Sequence, residues 1–346
     1  MYIFRLVSSL LLAVYFTNPA YSVDVFPALD QNSNQQKMVI YSSLDVNFVQ
    51  NIIKEFQQTM PNIEIEYHDL QTFDIYDKVV TESDNQQVTA DFVFSSAMDL
   101  QVKLANDGYA RNLPVSIAAN LPTFSKWRQM VFGLTNEPAV LVYNKDWFKD
   151  KTVPKTHDEI TEFLMQNSQE IFGRVATYDI ERSGLGLFFL AQDQKYNNNV
   201  WPLVSAMGQA GVRLYTNSSA ILQRVADGKF IMGYNILGSY AETYAKTNPG
   251  IGIIMPEDYT IITSRIGLVP RYAAQPLLGE SFLRFLASEK GQSLFVEHIN
   301  TLPLNVANKS TKFQYVHIGP GLVVYQDQLK RQKLIRKWNS SLEQHQ

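Results

Sequence analysis

From Lys37 onward the chain alternates between two hydrophobic patterns: short apolar runs bounded by turn residues, and stretches whose apolar positions recur every three or four residues. Lys37–Tyr41 reads as the first strand, and Phe48, Val49, Ile52, Ile53 and Phe56 fall on one face of a helix that stops before Pro61. Ile63, Ile65 and Tyr67 alternate as a second strand. A helix around Ile75–Thr81, a strand over Asp91–Phe94 and a helix over Leu100–Asn106 follow, the last closed by Gly108 as its C-cap. Later segments repeat the alternation: a strand over Arg174–Tyr178, a long helix from Gly184, a helix over Ala220–Ala226, the Asp227-Gly228 turn and a strand over Lys229–Tyr234. Such a sequence predicts an α/β fold built on mostly parallel sheet.

Two segments break the rhythm. In FGLTNEPAVLVY, Phe132–Tyr143, a Glu-Pro step separates two strand-like halves, the expected crossing from a first lobe to a second, and Tyr259–Pro270 reads as the return strand. Helices over Glu280–Ala287 and Lys290–Phe295 then rebuild the first lobe, and Tyr325–Trp338 forms a basic tail helix. The expected division is 37–136 plus 265–340 for the first lobe and 137–264 for the second. The chain is longer than a single core usually extends, and with 45% hydrophobic residues it can fill two.

Ahead of this pattern, Met1–Ser22 has one cation at Arg5, an apolar run from Leu6 to Phe16 and an Ala20-Tyr21-Ser22 end, the layout of a cleaved export signal. The run falls short of the roughly 20 residues a membrane span requires. Cleavage near Ser22 predicts a soluble protein, and its expected location is a bacterial periplasm. Cysteine is absent, so disulfides, thiolate chemistry and a lipid-bearing cysteine are excluded. Without the signal the chain has 29 Lys and Arg against 33 Asp and Glu, a formal charge of −4, and nothing points to nucleic acid or an anionic membrane as partner.

Candidate chemistry gathers where strands end. Val39-Ile40-Tyr41-Ser42-Ser43-Leu44-Asp45 and Phe92-Val93-Phe94-Ser95-Ser96-Ala97-Met98-Asp99 share one order: an apolar strand, two serines, then a helix. Hydroxyls and free backbone N–H groups at a helix N-terminus favour an anion, although either copy alone is equally a plain N-cap. Glu181-Arg182-Ser183-Gly184-Leu185-Gly186 is a third such element, with Ser183 as cap and Gly184 permitting close backbone approach; it matches neither a dinucleotide fingerprint nor a P-loop. Arg182 and Arg265 offer planar donor forks to an anion, with a structural ion pair to an acid such as Asp179 as the alternative for Arg265. Asn235, Ser239 and Tyr240 are candidates for neutral hydrogen bonds, Tyr240 being equally a core residue. The five histidines show no metal-ligand spacing, and neither a Gly-x-Ser-x-Gly elbow nor a paired-carboxylate acid–base couple stands out. The lysines and arginines of the tail helix read as a solvated face, or else as a surface for a membrane partner.

In order and spacing, the export signal, VIYSSLD (39–45), ADFVFSSAMD (90–99), FGLTNEPAVLVYNKDWF (132–148), SGLGLFFLAQD (183–193), DGKFIMGYNILGSY (227–240) and NPGIGIIMPEDYTIITSRIGLVP (248–270) resemble bacterial periplasmic solute-binding proteins of ABC transporters. Within that class the chain is similar to the group of ferric-iron, hexose-phosphate, phosphonate and phosphoglycerate-linked binding proteins, and the resemblance covers Lys37 to Trp338. It implies a type II periplasmic-binding-protein fold, two α/β lobes joined by two crossing strands, with a ligand cleft that shuts by hinge motion. The family's binding positions fall on Ser42, Ser43, Ser95, Ser96, Ser183 and Gly184, while Asn235 and Gly238-Ser239-Tyr240 occupy the region where ferric-binding members carry adjacent tyrosines. That tyrosine pair is absent, and Leu44-Asp45 replaces the histidine those members often have after the first strand. The resemblance and the hydroxyl-rich anchors together predict a monomeric binding protein, not an enzyme, without cofactor or metal. Its ligand is expected to be an anionic small molecule, a phosphate-bearing organic anion, passed to an ABC transporter permease. The alternatives are a ligand-sensing subunit for a membrane histidine kinase and a ferric-iron carrier.

Overall fold

The computed structural model describes residues 22–32, 34–304 and 311–343, so the expected export signal lies outside the described residues except at Ser22. The first sheet begins with β1 (Ser22–Phe26), β2 (Gln36–Ser42), helix α1 (Val46–Thr59), β3 (Ile63–Asp69), α2 (Thr72–Asp84), β4 (Phe92–Ser95) and α3 (Met98–Asn106). Each of β2, β3 and β4 runs into a helix, which makes the three mutually parallel in the order β3-β2-β4. The stripe Phe48, Val49, Ile52, Ile53 and Phe56 of α1 is buried as its spacing requires. β1 closes one edge, antiparallel to β3 with Ser22 opposite Asp69.

The chain then adds β5 (Lys126–Trp127) and β6 (Val131–Gly133) and leaves this sheet through Leu134, Thr135 and Asn136. The second sheet takes β7 (Glu137–Asn144), α4 (His157–Asn167), β8 (Val175–Tyr178), α5 (Gly184–Tyr196), α6 (Val200–Gln209), β9 (Arg213–Tyr215), α7 (Ser218–Ala226), β10 (Met232–Leu237), α8 (Gly238–Thr247), β11 (Ile251–Ile254) and β12 (Thr260–Thr263). After Ser264 and Arg265 the chain re-enters the first sheet as β13 (Ile266–Leu268), which lies antiparallel between β4 and β6. Then come α9 (Pro276–Ala287), α10 (Glu289–Leu294), β14 (Phe313–Tyr315) and α11 (Gln328–Glu343). The finished sheets read β1-β3-β2-β4-β13-β6-β5 and β14-β12-β7-β10-β8-β9, with β11 also on β7.

The two crossings run side by side and bond to each other: Leu134 N–H donates to the Arg265 carbonyl at 2.9 Å, and Arg265 N–H to the Thr135 hydroxyl at 2.8 Å. Tyr259–Pro270 is therefore not one strand, because β12 and β13 belong to different sheets and Ser264-Arg265 is the step between them. The strand expected over Lys229–Tyr234 begins later and runs to Leu237, with Asn235 left-handed (φ 59°) where the register against β7 shifts.

The tail departs furthest from expectation. β14 pairs with β12 of the second sheet, and α11 packs on α6 rather than rebuilding the first lobe. Leu334 and Trp338 bury among Ile180, Leu187, Leu190, Val200 and Val204, an apolar surface that α5 and α6 leave open. Gly208 permits the approach, since a Cβ there would lie 2.3 Å from the Leu342 carbonyl oxygen. The 3-10 turn Pro320–Gln326 ahead of α11 packs instead on α3, with Gln326 Nε2 donating to Asp99 at 2.6 Å. The C-terminal segment thus spans both lobes.

Candidate functional site

At the ends of β2 and β4 the two serine pairs divide their work. Ser42 and Ser95 are fully buried, and each hydroxyl accepts the N–H two residues on, from Leu44 at 3.1 Å and Ala97 at 3.3 Å. These local turns replace helix caps and aim the following residues outward. Ser43 and Ser96 meet there, hydroxyl to hydroxyl at 3.4 Å, with Ser96 N–H donating to Ser43 Oγ at 3.1 Å.

Both face a cavity of about 330 Å³ between the lobes. The first lobe adds Asp45 and the stretch Asp69–Thr72; the second adds Leu185, Thr216–Ser219, Leu237 and Tyr240. Asn217 caps α7 by accepting Ala220 N–H at 2.9 Å, which leaves Thr216, Ser218 and Ser219 grouped at that helix's N-terminus. The lobes touch around the cavity. Tyr240 OH donates to Asp45 Oδ1 at 2.7 Å and accepts Asp45 N–H at 3.0 Å, Ser219 Oγ donates to Asp45 Oδ2 at 2.7 Å, and Gly184 N–H donates to Thr72 Oγ1 at 2.9 Å.

Among the described residues no lysine or arginine lines this cavity, and the ionisable groups that do are Asp45, Asp69 and Tyr240. Burial, and secondarily the Asp45 carboxylate, pushes Asp69 up to about 6, while the Tyr240 phenol is raised by burial and by Asp45. Arg265 lies behind the wall, wholly buried. Its Nε is 3.3 Å from Glu137 Oε1 and its Nη2 3.4 Å from Oε2, and its Nη1 donates to the Ser43 carbonyl and hydroxyl at 3.2 and 3.3 Å. Burial opposes the guanidinium charge and Glu137 more than restores it. The acid paired with Arg265 is thus Glu137, not Asp179.

Of the positions expected from sequence, Ser43, Ser96 and Tyr240 come together on the cavity, with Ser42, Ser95 and Arg265 directly behind them. Ser183 is buried and spends its hydroxyl on Gly186 N–H at 3.2 Å, while Gly184 sits at the lobe contact. Three positions lie elsewhere. Arg182 is exposed and lines a separate cavity of about 610 Å³ with Asp74, Asp77 and Arg331. The Asn235 amide donates to the buried Asp193 at 2.6 Å, and the Ser239 hydroxyl bonds the Glu137 carboxylate. Asn235's left-handed backbone turns its amide to Asp193, whose carboxylate also accepts from Tyr234 and Tyr259 and needs every donor it receives.

Sequence reasoning missed Asp45, Asp69, Thr72 and Thr216–Ser219. A signal for the last was present: in Arg213-Leu214-Tyr215-Thr216-Asn217-Ser218-Ser219 a short strand is followed by a Thr-Asn cap and by two serines that open a helix.

The comparisons agree with this architecture. Residues 51–313 match the family described as bacterial extracellular solute-binding protein, and the chain belongs to that family. The crystal structure of the substrate binding protein of the ABC transporter from Agrobacterium tumefaciens is 44% identical, with a TM-score of 0.90 over 94% of this chain and 100% of that one. AfuA from Actinobacillus pleuropneumoniae, solved with exogenous fructose-6-phosphate bound, is 15% identical with a TM-score of 0.72, over 89% of this chain and 98% of its own. Iron-bound HitA from Pseudomonas aeruginosa is 18% identical with a TM-score of 0.66, over 88% and 99%. At those identities the last two share the fold, the type II periplasmic-binding fold of two lobes. No curated protein sequence matches the chain.

Proposed function

We propose that this protein captures a small polar organic solute in the interlobe cavity and delivers it to the permease of an ABC transporter. The observation that carries the reading is the cavity itself: side chains from both lobes wall it, so a solute bridging them favours the closed state over the open one by its differential contacts. At about 330 Å³ it suits a small molecule.

A phosphate-bearing solute draws support from the hydroxyls of Ser43, Ser96, Ser218 and Ser219 and from the N-terminus of α7. Against a wholly anionic solute stand Asp45 and Asp69 in the same wall and the pairing of Arg265 with Glu137. Any anionic end must be read by hydroxyls and N–H groups alone, and the remainder of the solute must present donors to the carboxylates.

Thermal melting with sugars, phosphorylated sugars, dicarboxylates, amino acids and amines tests the reading, because a solute that binds only the folded state raises Tm by mass action, by about 2.7 kcal/mol of stability at a hundredfold excess over Kd. Stabilisation accompanied by compaction in solution scattering is expected. Stabilisation without compaction would place the solute outside the cleft and overturn the interlobe reading.

A further inference from the structure

We propose that the solute carries a protonated amine, seated against Asp45 and Asp69; this deepens, and rests on, the solute-binding reading of the same cavity. Both carboxylates line a cavity that both lobes enclose. Their protein partners are all neutral: Asp45 accepts from Tyr240 and Ser219, and Asp69 from the backbone N–H of Val46. Neither forms an ion pair among the described residues. The nearby cation, Arg265, has its charge met by Glu137 and its remaining donors turned to Ser43.

Two half-buried carboxylates on one cavity repel each other, and each keeps acceptor sites that the protein leaves open. The groups acting on Asp69 are Asp45 and Asp24, which disfavour its charge, and Arg265 and the Val46 N–H, which favour it. An ammonium supplies both the missing positive charge and up to three donors in one small group. It therefore gains more in this cavity than a hydroxyl, which brings donors without charge, and far more than an anion.

The test is isothermal titration of the protein with putrescine, agmatine, ethanolamine and glycine, set against ethylene glycol, glucose, glucose 6-phosphate and succinate. At least one amine is expected to bind, more tightly at pH 7.5 than at pH 5 because Asp69 ionises between them. Asp69→Asn is expected to weaken that amine at least tenfold and to flatten the pH dependence; circular dichroism and melting verify that the variant is folded. Binding confined to sugars, diols or phosphates, or amine binding that Asp69→Asn leaves unchanged, overturns the amine assignment while upholding solute binding. Silence from every class counts against both.

Discussion

Arg265 has no exposed surface, and Glu137 supplies the charge that makes its burial tolerable. Removing one partner of such a pair leaves the other charge buried and unpaired. Arg265→Met is expected to cost about 3–5 kcal/mol in urea unfolding, and the double variant Arg265→Met/Glu137→Leu to cost less than that single change, because no orphan charge remains. Asp69 carries the opposite lesson. Its pKa, raised to about 6, means that the folded state holds a proton which the unfolded chain, titrating near pH 4, has already released. Its contribution to stability is complete below about pH 4 and is lost as pH rises through about 6. Asp69→Asn, neutral at every pH, should therefore melt above the wild type at pH 7.5, by on the order of 1 kcal/mol for a partly solvated group, and the gap should close by pH 4. Asp99, pushed up to about 6 chiefly by burial, titrates in the same window in both proteins and so cancels from the comparison. Neither aspartate declared its role in sequence. After a strand and before a helix, an Asp reads as a cap, and only the meeting of β2 with β3 brings Asp45 and Asp69 to one cavity.

At the scale of elements, legibility followed hydrophobic period. The stripe of α1 and the alternation of β3 fix those elements to within a few residues, and Gly108 ends α3 with φ 89° as a C-cap glycine does. α6 escaped because its segment, Val200–Gln209, is apolar on most sides and has Pro202 in its first turn, which obscures the 3.6-residue signal. β1 escaped because its alternating Ser-Val-Asp-Val-Phe begins where the export signal was expected to end. The lobe assignment of α11 failed for a different reason: an amphipathic helix announces an apolar face but not the surface that receives it. Here the receiving surface is α6, and Trp338, 5% exposed, is the largest buried side chain at the contact. Trp338→Ala is expected to cost about 3–5 kcal/mol in chemical unfolding, as large-to-small changes at well-packed aromatics do. A cost near zero would mean that α11 does not dock on the second lobe in solution.

On the solute-binding reading the whole molecule is a balance between open and closed lobes, and the bonds that join the lobes here bear on that balance. Tyr240 OH, from the second lobe, joins both the backbone N–H and the carboxylate of Asp45 in the first. Two such bonds, at about 0.5–1.5 kcal/mol each, bias the equilibrium without deciding it. Tyr240→Phe keeps the ring stacked on Phe48 at 4.4 Å and removes the clasp together with one hydroxyl of the cavity wall. It should lower the closed fraction by roughly tenfold for each 1.4 kcal/mol lost and weaken by that factor the solutes that make no contact with the Tyr240 hydroxyl, because binding must then supply closure that the protein no longer provides. Gly184→Ala acts on the same balance by steric means. Its Cβ would lie 2.6 Å from Leu100 and 2.9 Å from Thr72, both across the lobe boundary, so the clash is relieved by opening rather than by unfolding. The expected result is a larger radius of gyration by solution scattering and weaker binding, with a melting temperature close to that of the wild type without solute. A drop of many degrees in melting temperature would instead place Gly184 within the folding core of its lobe. Gly184→Ala thereby distinguishes closure from recognition: it lowers affinity uniformly across solutes, whereas a change in the cavity wall at Asp69 alters which solutes bind.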